Sequence, residues 1–213
     1  MNDPQPVIYV VDDDSQARKA VTTLVEAMGL PTVGFNSAEE FLAAYDGHRP
    51  ACLVTDVRML GMSGLELQEE LIRRGVRISV VVLTGFATTP GTVRAMRNGA
   101  LTLLEKPCRD DELWEAIRNG IAADREAYVA EQQREETLRR YETLTPKERE
   151  VLRFISAGDA NKVVARKMNV SLRTVELHRQ SVFTKMGADS LAELVRMVVS
   201  LESGDRPAAV NPA

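Results

Sequence analysis

Acidic, hydroxyl and basic side chains follow short apolar runs at several points in the first half of the chain. They are Asp12, Asp13, Asp14, Asp56, Thr84 and Lys106. Carboxylates clustered in this way repel one another unless a cation lies between them, and an all-oxygen site with room for water suits Mg²⁺. A carboxylate beside Mg²⁺ can attack a phosphoryl group while a lysine ammonium neutralises charge on the phosphoryl oxygens. The pattern therefore predicts a phosphoryl-transfer site with Asp56 as the nucleophile.

Two other interpretations of the acidic residues are open to test. A single Asp after a strand is often only a helix cap, and we expect Asp14 or Ser15 to have that role. A phosphatase of the haloacid dehalogenase type would place its nucleophile in a D-x-D-x-[TV] motif, which the first acidic run superficially offers. Gln16 breaks that motif, and a phosphatase of this type would leave Asp56 without a role.

The elements that must position these residues alternate between strands and helices. Strands are predicted at 7–11, 32–35, 52–55, 78–84 and 101–104, with helices at 16–28, 38–44, 64–74, 89–98 and 110–122. Five such units predict an α/β fold with a doubly wound, five-stranded parallel sheet. Ligands of these sheets bind beyond the carboxyl ends of the strands, so we expect the acidic residues and the lysine to meet there.

The rest of the chain is predicted to be helical. Residues 123–142 contain no Gly or Pro and favour a solvated helical linker. Thr145, Pro146 and Glu148 supply an N-cap, a first-turn proline and a capping-box acid for the next helix. The predicted organisation is an α/β domain at 1–122, the linker at 123–142, an all-α four-helix domain at 143–202 and a flexible tail at 203–213.

Charge and composition limit the functional classes to which the protein can belong. Residues 1–121 hold 12 basic and 17 acidic side chains, whereas residues 143–213 hold 11 and 8, so only the C-terminal part favours phosphate. The most apolar stretch, 78–84, is far too short to cross a bilayer, and the N-terminus lacks a signal-like start. We expect a cytoplasmic protein with no membrane partner. Cys52 and Cys108 form no CxxC motif, so neither a disulfide framework nor a zinc site is indicated.

Helices predicted at 161–168 and 172–186 are joined by a three-residue break and form a helix-turn-helix candidate. Helical spacing turns one set of residues inward, namely Leu172, Val175, Val182 and Met186. It turns another set outward, namely Arg173, Glu176, Leu177, Gln180 and Thr184. A solvated helix of an interaction domain would show the same arrangement, so the pattern alone leaves both interpretations open.

The outward face carries side chains that suit base edges and phosphates. Gln180 can pair with adenine, Glu176 can accept from cytosine, and Leu177 can contact a thymine methyl group. Side chains expected to meet phosphates are Lys162, Arg173, Thr174, Arg179 and Lys185. His178 lies on the same helix and completes the candidate DNA-binding set, although we expect it to be partly packed.

Several motifs resemble those of response-regulator receiver domains over about residues 7–122: VVDDD, TDVRMLGMSG, VVVLTGFA and EKP. The resemblance implies that a sensor histidine kinase phosphorylates Asp56, and that Mg²⁺ is held by Asp13, Asp56 and the backbone carbonyl of Arg58 with help from Asp12. It implies contacts from Thr84 and Lys106 to the phosphoryl oxygens, and a cis bond before Pro107. Leu60 replaces a common proline and Leu103 a common aromatic residue, so we expect a weaker switch through Thr84 and Leu103.

Further motifs, LTPKEREVL, NKVVARKM and SLRTVELHR, resemble the LuxR-type helix-turn-helix of the NarL/FixJ regulators over about 144–201, and the chain is similar to FixJ-like proteins. The resemblance implies dimeric binding to a two-fold DNA site, with contacts from some of Leu191, Leu194, Val195 and Val198. We therefore predict a transcriptional response regulator that dimerises and binds promoter DNA on phosphorylation, with RNA polymerase a further candidate partner. Its only enzymatic activity would be incidental autophosphorylation and autodephosphorylation. A phosphorylation-independent DNA-binding or scaffolding protein is the alternative.

Overall fold

The computed structural model describes residues 5–203. Its N-terminal part alternates strands and helices in the predicted order. These elements are β1 (Val7–Val11), α1 (Ser15–Ala27), β2 (Thr32–Phe35), α2 (Ala38–Ala44), β3 (Ala51–Asp56), α3 (Gly64–Arg73), β4 (Ser79–Thr84), α4 (Thr89–Arg97), β5 (Thr102–Glu105) and α5 (Asp110–Glu142).

The five strands form one parallel sheet in the order β2-β1-β3-β4-β5. Side chains alternate between its faces, so Tyr9 and Val11 enter one buried cluster while Ile8 and Val10 enter another. Helices α2, α3 and α4 cover the first face, and helices α1 and α5 cover the second. The predicted doubly wound α/β fold is confirmed, and all strand carboxyl ends lie along one edge.

Side-chain caps start several helices where the sequence predicts them. The Asp14 carboxylate accepts from the backbone N–H groups of Gln16 and Ala17, which confirms that this residue caps α1. Thr145 and Glu148 form the predicted capping box of the next helical region, with a proline in its first turn. The peptide bond between Lys106 and Pro107 is cis, as the resemblance implies.

Helix α5 is mostly exposed over the predicted linker at 123–142, but it departs from the prediction of a solvated helix near the first residues of the linker. Asp124, in that segment, is only 2% exposed. Its Oδ2 accepts from the Ala51 backbone N–H at 2.8 Å and from Arg49 Nε at 3.2 Å. The partners lie at the start of β3, far away in sequence, so the helical pattern alone does not reveal the pairing. A buried ion pair thus holds this part of α5.

The C-terminal helices are α6 (Pro146–Ser156), α7 (Asn161–Met168), α8 (Leu172–Met186) and α9 (Leu191–Ser203). Their core includes Val151, Ile155, Val175, Val182 and Leu194. The prediction that Leu172 points inward is wrong, because the first residue of α8 is 39% exposed. Ser203 was assigned to the tail but ends α9, and residues 204–213 lie outside the described part of the chain.

The chain divides into two compact units, the first ending at Val129 and the second beginning at Ala130. Helix α5 is 33 residues long and begins in the first unit and ends in the second. Between residues 5 and 203, no helix has the length and apolar character needed to cross a bilayer.

Candidate functional site

Four predicted site residues lie at the carboxyl edge of the sheet. Asp12 follows β1, Asp56 ends β3, Thr84 ends β4 and Lys106 follows β5. The exposed fractions of Asp12, Asp56 and Thr84 are only 3%, 7% and 2%. The order of strands brings these residues together from four separate parts of the chain, as predicted.

Lys106 links two of the carboxylates. Its Nζ donates to Asp12 Oδ2 at 2.7 Å and to Asp56 Oδ1 at 2.6 Å. Burial lowers the pKa of Lys106, but these two hydrogen bonds and the charges of Asp12 and Asp56 outweigh it, so the pKa is raised. Lys106 is therefore a fixed positive charge beside the predicted nucleophile.

The loop after β3 is held by the same carboxylates. The Arg58 backbone N–H donates to Asp56 Oδ2 at 2.6 Å, and the Leu60 N–H donates to Asp13 Oδ2 at 2.9 Å. A Cβ atom at Gly64 would lie 2.0 Å from the Asp56 carbonyl oxygen, so only glycine allows this close return of the chain. The loop presents the Asp56 carboxylate in a fixed orientation.

The predicted switch residues both lie in strands of the sheet, Thr84 at the end of β4 and Leu103 in β5. The Thr84 hydroxyl donates to the Phe86 carbonyl at 3.1 Å and accepts from the Phe86 N–H at 3.2 Å, so it is engaged with its own loop. Phe86 is 60% exposed, and the Arg58 guanidinium lies 5.5 Å from its ring centroid. Leu103 is partly buried and packs against the core on one face of the sheet.

The chemistry of the donor groups suits Mg²⁺. Asp12, Asp13 and Asp56 supply carboxylate oxygens and Arg58 a backbone carbonyl, which are hard ligands for a hard cation. The Lys106 ammonium contacts Asp12 and Asp56, and Asp13 accepts from the Leu60 N–H, so these three carboxylates carry more negative charge than that one ammonium balances. No cluster of three or more acidic, histidine or cysteine side chains in residues 5–203 is arranged to hold a metal by itself. The backbone carbonyl, water and a phosphoryl oxygen would therefore have to complete the coordination of the ion.

Two supporting contacts were not anticipated from the sequence. Arg18 Nη1 on α1 donates to the Asp12 carbonyl oxygen at 2.5 Å, and Glu39 Oε1 on α2 accepts from the Met62 N–H at 3.0 Å. The pKa of Glu39 is lowered, chiefly by a hydrogen bond from its own backbone N–H and next by the hydrogen bond from the Met62 N–H. Each residue lies on a surface helix with no motif to mark it.

The second candidate site is the outer face of α8. Its predicted outward residues are exposed: Arg173, Glu176, Leu177, Gln180 and Thr184. Lys162 is also exposed at the start of α7, while His178 is half-buried. The Ser171 hydroxyl accepts from the Thr174 N–H at 3.1 Å and caps α8. Exposed polar side chains thus lie together on one side of the recognition-helix candidate.

Two of the predicted phosphate contacts, Arg179 and Lys185, have partners on other helices of their own domain. Arg179 Nη1 donates to Asn161 Oδ1 at 3.2 Å. Lys185 Nζ donates to Glu148 Oε2 at 2.7 Å. These bonds brace α8 against α7 and α6, so both side chains have structural roles that the sequence reading did not anticipate.

Glu148 on α6 supports the recognition-helix candidate α8, a role that its sequence pattern did not predict. Its side chain is 6% exposed and also accepts from Ser181 Oγ at 2.6 Å. Burial raises its pKa, but hydrogen bonds from Lys185, Ser181 and Thr145 outweigh that effect and lower the pKa to about 2. The capping box revealed the local role of Glu148 but not its remote partners.

Comparisons with known proteins match both domains. Residues 8–118 match the family described as response regulator receiver domain, and residues 142–198 match bacterial regulatory proteins, luxR family. The transcriptional regulatory protein FixJ of Azorhizobium caulinodans is 42% identical over 201 residues, covering 94% of this chain and 94% of that protein. Nodulation protein W of Bradyrhizobium diazoefficiens is 39% identical over 195 residues, covering 92% and 86%. The solved structure of the response regulator StyR aligns with a TM-score of 0.81 at 35% identity, covering 92% of this chain and 99% of that one.

A receiver domain followed by a LuxR-type domain defines the class of transcriptional response regulators, and the protein is one of them. Within that class the chain belongs to the NarL/FixJ family. The family consists of regulators rather than classical enzymes, and its two domains imply a sensor kinase and DNA as partners. Receiver domains generally bind Mg²⁺ at their acidic pocket. These matches do not favour the phosphorylation-independent alternative.

Proposed function

We propose that Asp56 is the phosphoacceptor of this regulator and that a phosphohistidine of the sensor kinase is its physiological donor. The observation that carries the proposal is the position of Lys106, whose ammonium lies between Asp12 and Asp56 at 2.7 and 2.6 Å. That placement supplies a fixed cation where charge on the transferred phosphoryl oxygens would develop.

The transfer forms one bond and breaks one bond. An Asp56 oxygen attacks phosphorus, the bond from phosphorus to the kinase imidazole nitrogen breaks, and the imidazole keeps that electron pair. Asp56 thereby becomes an acyl phosphate, and Lys106 and the Thr84 hydroxyl can each contact a phosphoryl oxygen. Later attack by water on phosphorus returns the carboxylate and releases inorganic phosphate, which is the incidental autodephosphorylation expected here.

Mg²⁺ fits this site as the resident cofactor. Asp13, Asp56 and the Arg58 carbonyl would hold it, with Asp12 as support. When bound, the ion neutralises phosphoryl oxygen charge and so reduces repulsion between the donor and the carboxylates. Lys106 supplies a second positive charge at the site, because its ammonium is held by Asp12 and Asp56.

Intact-mass analysis tests the nucleophile. We expect the full chain with acetyl phosphate and Mg²⁺ to gain one phosphoryl group, and Asp56→Asn to gain none. Asp14→Asn is the matched control, because it removes an equal charge nearby from a residue that only caps α1. Labelling of Asp56→Asn at the wild-type level would reject Asp56 as the acceptor.

DNA recognition is assigned to α8 in the same proposal. Gln180, Glu176 and Leu177 would read base edges, while Lys162 and Arg173 would contact phosphates. Thr174, His178, Arg179 and Lys185 complete the proposed interface, the last two with smaller phosphate roles because of their internal partners. A cytoplasmic location follows from the proposed DNA target.

Phosphorylation is proposed to favour a homodimer through α4 and β5. The support is a set of exposed apolar side chains on and beside these elements, with Val93, Met96 and Leu101 exposed by 43%, 48% and 36%. RNA polymerase is a further proposed partner at the promoter. Sedimentation of the chain with and without a beryllofluoride phosphoryl mimic tests dimerisation, and identical mass distributions in both states would reject it.

A further inference from the structure

The last turn of helix α5 carries an arginine that reaches the end of the recognition helix. Arg140 Nη1 donates to the Met186 carbonyl oxygen at 2.9 Å. Its Nε donates to Glu136 Oε1, also at 2.9 Å, so the guanidinium is held from within α5 while it contacts α8. Arg140 thus joins the two helices by a charge-assisted hydrogen bond.

The contact supplies a hydrogen-bond donor to a carbonyl group in the last turn of α8. The carbonyl groups in the last turn of a helix have no partner within that helix. Here the Gly187 N–H donates to the Thr184 carbonyl and the Ala188 N–H to the Phe183 carbonyl, so the chain after α8 satisfies two of them. Arg140 satisfies the Met186 carbonyl, and its positive charge lies at the negative end of the helix dipole.

Close approach is possible because Gly187 follows Met186. Gly187 has a φ of +66°, and a Cβ atom built there would lie 2.5 Å from Arg140 Nη1. The glycine therefore serves both the left-handed turn that ends α8 and the space that the guanidinium occupies. The two residues form one fitted contact between α5 and α8.

We propose that Arg140 is a positioning residue for DNA recognition, which fixes the C-terminal turn of α8 to the last turn of α5. The proposal rests on the proposed role of α8 as the DNA-reading helix. Helix α5 begins at Asp110 in the receiver unit, so the element that leaves the receiver also holds the recognition helix. A displacement of the last turn of α5 would then reach α8 directly through Arg140.

Neighbouring Arg139 gives a matched control. It also binds Glu136, with Nη2 at 3.0 Å from Oε2, and its recorded partners all lie on α5. Arg139→Gln and Arg140→Gln therefore remove the same charge at adjacent positions, but only Arg140→Gln removes a bond to α8. If the only effect were weaker electrostatic attraction to DNA phosphates, the two variants should lose DNA affinity equally.

The first test is DNA binding by the full chain, with a duplex enriched from a random-sequence library by the wild-type protein and a random duplex for comparison. We expect Arg140→Gln to lower the ratio of selected to random affinity roughly tenfold, equivalent to about 1.4 kcal/mol. Arg139→Gln should leave the ratio unchanged, and Arg140→Lys should restore much of it. Equal ratios for the two glutamine variants would overturn the proposal.

Hydrogen exchange separates positioning from a general loss of structure. In Arg140→Gln we expect faster exchange of amides in the last turn of α8, through Ala188, while amides of α6 keep their protection. Unchanged exchange in that turn would refute the contact in solution. If the wild-type chain failed to discriminate between the two duplexes, the DNA-reading role of α8 would fail, and exchange would still decide whether Arg140 holds the helix.

A double-mutant cycle provides a check that does not depend on DNA. Gly187→Ala introduces backbone strain and a steric clash between the new Cβ atom and the Arg140 guanidinium. Arg140→Gln relieves the clash because the glutamine side chain is shorter. We expect the melting temperature to fall less for Gly187→Ala in the Arg140→Gln background than in the wild type. Equal losses in both backgrounds would show that the two residues do not interact.

Discussion

Replacing Glu148 with Gln should destabilise the DNA-binding domain by removing the charge that joins α6 to α8. The Glu148 carboxylate joins the start of α6 to α8, because it accepts from Thr145 N–H, Ser181 Oγ and Lys185 Nζ at 2.8, 2.6 and 2.7 Å. Glutamine keeps the shape of the side chain but leaves the Lys185 ammonium without its counter-charge. The variant therefore tests the buried ion pair rather than the packing.

The magnitude follows from the pKa of Glu148. A fall from 4.5 to about 2 on folding corresponds to about 3 kcal/mol at 1.36 kcal/mol per pKa unit. The Lys185 side chain is 34% exposed, so solvent screens part of the interaction. We expect Glu148→Gln to lower the free energy of unfolding by about 1–3 kcal/mol at pH 7.

The pH dependence of that difference is the sharper observation. Because folding lowers the pKa of Glu148, its stabilisation is complete above the unfolded value of 4.5 and is lost as pH falls towards the folded value of about 2. The difference between the two proteins should be constant from pH 7 to 5. It should then shrink by up to about 1.4 kcal/mol per pH unit below 4.5.

The difference in the free energy of unfolding between wild type and Glu148→Gln is measured by urea unfolding of the full chain. Hydrogen exchange in peptides of α6 and α8 then shows whether the loss lies in the DNA-binding domain. Glu150→Gln is the control, because it removes the same charge from an exposed residue of the same helix and should change stability little. A Glu148→Gln deficit that is as large at pH 3.5 as at pH 7 would contradict the pKa argument. A deficit equal to that of Glu150→Gln would show that the buried ion pair contributes nothing.

Three further predictions concern other parts of the chain. Gln68 is buried with no hydrogen-bond partner for either amide atom among residues 5–203, so Gln68→Met should stabilise the receiver domain by on the order of 1–3 kcal/mol in urea unfolding. Asp124→Asn should destabilise it by about 1.5–3 kcal/mol, measured in the same way, because it removes the charge of a buried carboxylate that accepts from Arg49 and from the Ala51 N–H. In DNA titrations Gln180→Ala should cost about 1–3 kcal/mol on a selected duplex and little on a random one, whereas Lys162→Ala should weaken binding to both alike.

Most of the fold could be predicted because its signals are local. Alternation of apolar runs and amphipathic stretches gave the five strands of the sheet, and capping residues such as Asp14 and Ser171 gave the helix starts. Ends were less certain, since β3 extends to Asp56 and β5 to Glu105, one residue beyond the predicted limits. Hydrogen bonding with neighbouring strands, which periodicity does not report, decides where a strand ends.

The candidate phosphoryl site could be predicted because strand order alone brings its residues to one edge. The burial of isolated polar residues could not be predicted from the sequence. Asp124 has the sequence context of a solvated helix, yet its partner Arg49 is 75 residues away. Glu148 finds Lys185 at a separation of 37 residues. Such pairings depend on how helices pack, and no short motif records them.

The balance of charge in each buried cluster distinguishes its role. In two buried clusters a carboxylate is paired with a cation, Asp124 with Arg49 and Glu148 with Lys185. The edge of the sheet differs, because Asp12 and Asp56 both bind the single ammonium of Lys106, while Asp13 accepts from the Leu60 N–H. The Arg18 guanidinium binds the backbone carbonyl of Asp12 and not a carboxylate, so the three carboxylates keep more negative charge than the Lys106 ammonium balances. Folding therefore leaves negative charge at the carboxyl edge that a divalent cation can neutralise, whereas the other two pairs hold helices in place.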